Sequence, residues 1–211
     1  MVLTVLKQLK YAFTLIFHPF DGFWDLKHEK RGSVTAALII VALLCVQQVF
    51  KTQFTGFIFN PDYDGVSLNV LKECAIVIAT FFLYCIANWS LTTLMDGEGS
   101  FGDIVMASGY AMAPFFIIGF PLIFISNIMT ENLAAFYNLL IYLSIGWSAI
   151  LMLSSILVIH QYSLAKTILT AILIIVAMCV IIFLCLLFFN LISQMFSFVY
   201  GLYWEVSLRY F

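Results

Sequence analysis

Polar positions in this chain are few and bunched, and the apolar runs between them are long. Five runs, at 33–50, 74–95, 104–128, 136–159 and 167–190, are each 18 to 25 residues long and contain no Asp, Glu, Lys or Arg. About 20 apolar residues at 1.5 Å rise cross a hydrocarbon core about 30 Å thick. The pattern therefore predicts an all-α polytopic membrane protein with five transmembrane helices. Apolar character continues past the fifth run to Tyr200. One helix over 167–200 would be about 50 Å long, so the excess is expected to tilt, to bend near Asn190 or to lie in the interface.

A different period governs the start. Val2, Leu3, Val5, Leu6, Leu9, Phe13, Ile16 and Phe17 share one side of a helix, with Lys7, Gln8, Lys10 and Thr14 opposite. This reads as a helix lying in the membrane interface. Lys7 and Lys10 interrupt the apolar run and no small-residue cleavage site follows, so a signal peptide is not indicated. His18-Pro19 stops the helix. A second amphipathic stretch sets Phe20, Phe23, Trp24 and Leu26 against Asp21, Asp25, Lys27, His28, Glu29, Lys30 and Arg31. Trp24 suits the headgroup level, and Lys27, Lys30 and Arg31 would each gain about 1 kcal/mol beside anionic lipid. The chain thus divides into an interfacial segment (1–32), a five-span membrane domain (33–200) and a tail (201–211). Between the first two spans, 51–73 is a polar excursion with the turn-rich run Asn60-Pro61-Asp62-Tyr63-Asp64-Gly65.

Composition agrees. Of 211 residues 64% are hydrophobic and 9% charged, against about 25% charged in a soluble domain. A net charge of -2 without a clustered basic face argues against a nucleic-acid partner. Cys45, Cys74, Cys85, Cys179 and Cys185 fall in apolar runs without CxxC spacing and read as small hydrophobes. Near the span ends Lys7, Lys10, Lys27, Lys30, Arg31 and Lys166 lie on the N-terminal side, and Lys51, Lys72 and Arg209 on the other. The imbalance predicts a multi-pass cell-membrane protein with a cytoplasmic N-terminus and an extracytoplasmic C-terminus.

Catalytic and ligand motifs fail on inspection. His28-Glu29-Lys30-Arg31-Gly32 has Gly where a zinc protease needs its second His. Gly146-Trp147-Ser148-Ala149-Ile150 ends in Ile where a nucleophile elbow needs Gly. Gly97-Glu98-Gly99-Ser100-Phe101-Gly102 has dinucleotide-binding spacing but follows a membrane span rather than a strand, and Asp96, Glu98 and Asp103 would repel a phosphate. Asp21, Asp25 and His28 fall on one helical face and read as a solvated face rather than a metal site. No catalytic residue, metal, cofactor or nucleotide is expected.

The most informative stretch is 88–121. Its acidic turn, with Asp96 and Glu98, permits a tight reversal, and Asp103 is a natural N-cap for span three. The same turn offers a cytoplasmic docking loop for a basic partner. Gly109 with Ala113, and Ala107 with Ala111, let a neighbouring helix approach, with Tyr110 between them. Pro114 and Pro121 should kink the span and free carbonyls near 110 and 117. Asn88, Ser90, Thr92 and Thr93 in span two are the candidates to satisfy them. Asn88-Trp89-Ser90 matches a glycosylation triplet but lies within a span.

Together these motifs resemble the Yip family of membrane proteins. Gly109-Tyr110-Ala111-Met112-Ala113-Pro114 is similar to the family's third-span run. His18-Pro19-Phe20-Asp21-Gly22-Phe23-Trp24-Asp25, the run Asp96-Gly97-Glu98-Gly99-Ser100-Phe101 and His160-Gln161-Tyr162-Ser163 resemble its short bacterial branch. The resemblance implies five spans. Eukaryotic members sit in Golgi and endoplasmic-reticulum membranes, bind Rab-type GTPases and help shape or sort vesicles. The sequence shows no counterpart of their long polar N-terminal region, so GTPase binding is not expected to transfer.

The expected function is a non-enzymatic scaffold or accessory protein that joins a larger membrane assembly, or its own copies, through spans two and three and the acidic turn. The alternative is a small permease or channel along kinked span three. A third reading, membrane shaping, rests on the amphipathic residues 1–31.

Overall fold

The computed structural model describes residues 2–60 and 69–210. The turn-rich run at 61–65 therefore lies outside the described residues, apart from Asn60. Eight α-helices account for nearly all of the rest: α1 (Val2–Phe17), α2 (Pro19–His28), α3 (Val34–Phe54), α4 (Val70–Leu94), α5 (Phe101–Ala111), α6 (Ala113–Ile125), α7 (Ala134–His160) and α8 (Leu164–Tyr210). No strand occurs among the described residues. Among the described residues five stretches are long and apolar enough to cross a membrane: α3, α4, α5 with α6, α7 preceded by the 3-10 turn Glu131–Leu133, and Leu164–Glu205 of α8. This is an all-α, multi-pass membrane protein.

Helix starts follow the local chemistry. Ser33 accepts from the Ala36 N–H at the start of α3, and Asn69 accepts from the Lys72 N–H at the start of α4. Among the described residues three non-glycine residues have positive φ, namely Lys30, Asp96 and Gln161. Each follows the end of a helix (α2, α4, α7), where a left-handed residue releases the chain. All three lie at the same end of the bundle, called here the hairpin end.

The name comes from α1 and α2, which fold back on each other. A Cβ on Gly22 would sit 3.1 Å from Leu15 Cα, so the two helices touch near the elbow. Tyr11 Oη donates to Asp25 at 3.0 Å, and Ser33 Oγ to Gln8 at 2.8 Å. The hairpin does not lie flat beneath the bundle. Lys27 Nζ reaches Ile159 O at the end of α7, while Trp147 Nε1 donates to Ile16 O. Trp147 precedes the last residue of α7, His160, by 13 residues, or about 20 Å of helix. The hairpin runs that far down the side of α7. Its buried residues Ala12, Leu15, Phe23 and Leu26 share one cluster with Ala36, Ala37, Tyr110 and Leu151. The apolar face that the helical period marks over 1–28 is covered in large part by the protein itself.

At the other extreme, α8 is continuous through Asn190 for 47 residues. Only Thr167, Thr170 and Ile174 of its first turns are fully buried, against α4 and α7. Of its most apolar window 6% is buried, compared with 44% for the α5–α6 span.

Candidate functional site

The stretch 88–121 separates into three arrangements. In the first, the acidic turn is seated on the end of α7. A Cβ on Gly97 would lie 2.6 Å from His160 Nδ1 and 2.8 Å from Tyr162 Oη, and one on Gly99 would lie 2.5 Å from Ile159 Cγ2. Both glycines are needed for this approach. Gly99 N–H donates to His160 Nδ1 at 3.3 Å. Tyr162 Oη and Lys166 Nζ donate to Met95 O at 3.1 and 2.7 Å. Lys27 Nζ donates to Ile159 O at 2.9 Å and pairs with Glu98 at 3.5 Å. Two lysines thus cover carbonyls left open where α4 and α7 end, where the helix dipole favours a cation. Burial first, and Asp96 second, raise the Tyr162 hydroxyl above its ordinary range, which keeps it a donor. Asp96 and Glu98 remain exposed.

Asp103 does not stand at the N-cap. Ser100 does, accepting from the Asp103 N–H while the Asp103 carboxylate accepts from the Ser100 N–H. This reciprocal box satisfies two open donors where Asp103 alone would satisfy fewer.

The second arrangement is Gly109 and Tyr110. A Cβ on Gly109 would lie 2.7 Å from Ala37 Cβ and 3.0 Å from Ala37 O, so the small-residue face of span three meets span one. Tyr110 is fully buried, and its hydroxyl donates to Gln8 O in the hairpin at 3.1 Å. Ala113 and Pro114 are buried as well.

The third is the kink. α5 stops at Ala111 and α6 begins at Ala113, with Met112 N–H bonded to Gly109 O; Pro121 lies inside α6. The expected partners in span two do not serve the freed carbonyls. Thr92 Oγ1 donates to Asn88 O at 2.7 Å and Thr93 Oγ1 to Trp89 O at 2.6 Å, because a helical threonine reaches its own preceding turn most easily. Buried Asn88 leaves its Oδ1 unpartnered. Polar support near Pro114 comes from span one, where Gln47 Nε2 donates to Phe115 O at 3.4 Å. Trp89 is exposed and edge-on to Phe101, with centroids 5.9 Å apart.

Of the residues expected at the headgroups, Trp24 is exposed and stacks on His28 at 3.9 Å. Lys30 is exposed, and Arg31 pairs with Glu29 and Asp25 at 2.6 and 3.3 Å. Lys27 instead turns inward. The described residues contain no group of three or more His, Cys, Asp or Glu side chains fit to hold a metal.

A family model, Yip1 domain, matches residues 13–186. The chain belongs to the Yip1 domain family. Comparison with curated proteins finds no match, and comparison with solved structures finds none. The match begins within α1 and ends within α8, so this Yip1 domain takes in part of the hairpin as well as the spans. Its scattered motifs also become contacts. The Asp96–Phe101 turn and the His160–Ser163 run, joined by a hydrogen bond 61 residues apart in sequence, form one face. The Gly109–Pro114 run sits between Ala37, the hairpin and the kink. Sequence reasoning missed Ala37, Gln8, Lys166 and the inward turn of Lys27.

Proposed function

We propose that this Yip1 domain protein is a non-enzymatic scaffold or accessory subunit of a larger assembly in the cell membrane. Its hairpin end faces the cytoplasm. The observation that carries the reading is α8. Its 42-residue apolar stretch, Leu164–Glu205, packs against the bundle over its first part, as far as Ile181, and stays largely exposed beyond it. At 1.5 Å per residue that is about 63 Å, twice the hydrocarbon thickness. Along its distal half Asn190, Gln194, Ser197 and Gly201 recur at helical spacing, with Gln194 Nε2 donating to Asn190 Oδ1 at 3.2 Å. Small and polar positions amid apolar ones suit contact with another membrane helix. The acidic turn, fixed on α7 with Glu98 outward, is the second contact, for a basic cytoplasmic surface.

A photoreactive residue placed at Ser100 and, separately, at Gln194 in native membranes tests this. Capture of the same foreign membrane protein at both positions supports the scaffold. Capture of lipid alone at Gln194 removes it. A small permease along span three has the cavities flanking Met112 in its favour, and solute flux in liposomes of the purified protein decides that reading.

A further inference from the structure

Two cavities meet at the kink of span three. One, of about 530 Å³, lies between α4, α7 and α8; its neighbour, of about 370 Å³, lies towards α3. Tyr84, Met112, Phe115 and Met152 line both. Neither lining contains a charged side chain. The larger opens on its outer side at Ile145, Leu153 and Ile175, all exposed on membrane-spanning helices. These volumes are in the range of about 300–1,000 Å³ usual for small-molecule sites.

The walls are not wholly apolar. Ser144, Ser154 and Ser155 of α7, outside both linings, each donate to a carbonyl of their own helix, at 2.7, 2.9 and 2.7 Å. Ser148, on the same helix and lining the larger cavity, has a buried hydroxyl with no partner. Tyr84 Oη, from α4 on the same cavity, is also buried, beside the Asn88 side chain one turn further along α4. A buried hydroxyl without a partner is costly, and that of Ser148 borders this apolar space.

We propose that this cavity binds a neutral, hydrocarbon-soluble molecule bearing carbonyl acceptors, the chemistry of an isoprenoid quinone. Ser148 and Tyr84 donate to the carbonyls, and the apolar walls hold the ring and the start of the tail. Depth selects this class. Ser148 lies near the middle of α7, 12 residues from one end and 14 from the other, about 20 Å from each. Phospholipid headgroups and ester carbonyls lie outside the hydrocarbon core, and the lining offers a phosphate no cation. The site is independent of the scaffold reading, which concerns α8 and the acidic turn.

The test uses the full chain in phosphatidylcholine nanodiscs, titrated with decyl-benzoquinone and followed by native mass spectrometry. Saturable binding is expected. Tyr84→Phe and Ser148→Ala, which keep the shape, should each weaken it roughly three- to tenfold, and Ala171→Phe should abolish it. Unchanged binding in the Tyr84→Phe, Ser148→Ala double variant would overturn the proposal in favour of a plain acyl-chain groove. Absence of saturable binding in the parent overturns it outright.

Discussion

Gly109 lies so close to Ala37 that a Cβ on the glycine would stand 2.7 Å from the alanine's Cβ and 3.0 Å from its carbonyl oxygen. The carbonyl is backbone and an alanine Cβ is fixed rigidly to it, so neither can yield without moving a helix. Gly109→Ala is expected to destabilise by about 1–3 kcal/mol through overpacking, and Gly109→Leu by more, read as thermal unfolding in detergent. Gly146, whose Cβ would meet nothing within 4 Å, is the control: Gly146→Ala should stabilise by about 0.5–1 kcal/mol. Equal effects at the two positions would mean that spans one and three do not touch here. A substitution at Gly109 thus reports on the chain's own fold before it reports on any partner.

The acidic turn makes an equally specific demand. Asp96 has φ of 56°, a conformation that glycine and asparagine tolerate and β-branched residues do not. Asp96→Asn and Asp96→Gly should leave the turn in place, while Asp96→Val should cost about 1–2 kcal/mol. Gly97→Ala should displace His160 and Tyr162. Hydrogen exchange over 95–100 measures both, and unchanged protection in Gly97→Ala would contradict the seating of the turn on α7.

Lys27 separates two kinds of cation contact. Its partner Glu98 is 57% exposed, so Glu98→Gln should change stability by no more than about 1 kcal/mol. Lys27→Met also removes the hydrogen bond to Ile159 O and should cost more than Glu98→Gln, with little dependence on salt. If the two variants are equally stable, the ion pair rather than the helix cap is what Lys27 contributes.

Much of this was written in the chain, and what escaped was escaped for a reason. Five spans follow from apolar runs without charge, which are a property of single segments. Which spans touch is a property of pairs, and here local chemistry misled. Thr92 and Thr93 look like donors for the kink, yet each prefers its own preceding turn. Gly109 signals a close neighbour without naming Ala37. The stretch 1–28 has a correct helical period, but a period marks an apolar face and cannot say whether lipid or protein covers it.

The hairpin can be checked in membranes. Phe17 is 74% exposed at an elbow level with Trp147, whereas Lys30 lies at the bundle end. In a variant freed of native cysteines, and in membranes opened to the reagent on both sides, Lys30→Cys should react with a membrane-impermeant maleimide, and Phe17→Cys only after detergent. Phe23→Ala, at a fully buried position, should cost about 3–5 kcal/mol. Equal labelling of both positions would place the hairpin flat on the surface.

The exposed length of α8 gives a test built from native residues. Cys179 and Cys185 are both exposed on it, and six residues turn a helix through 600°, so the two thiols face directions about 120° apart. Lipid alone would leave them equally open to a lipid-soluble maleimide. A partner helix lying along one face covers one of them only. In native membranes one cysteine is therefore expected to react much more slowly than the other, and the difference should vanish for the purified chain in detergent. Equal rates in both settings would mean that α8 meets nothing but lipid at this level, and the proposed scaffold would lose its main lateral contact. A difference that survives purification points to a second copy of the same chain as the cover, since that partner travels with the protein.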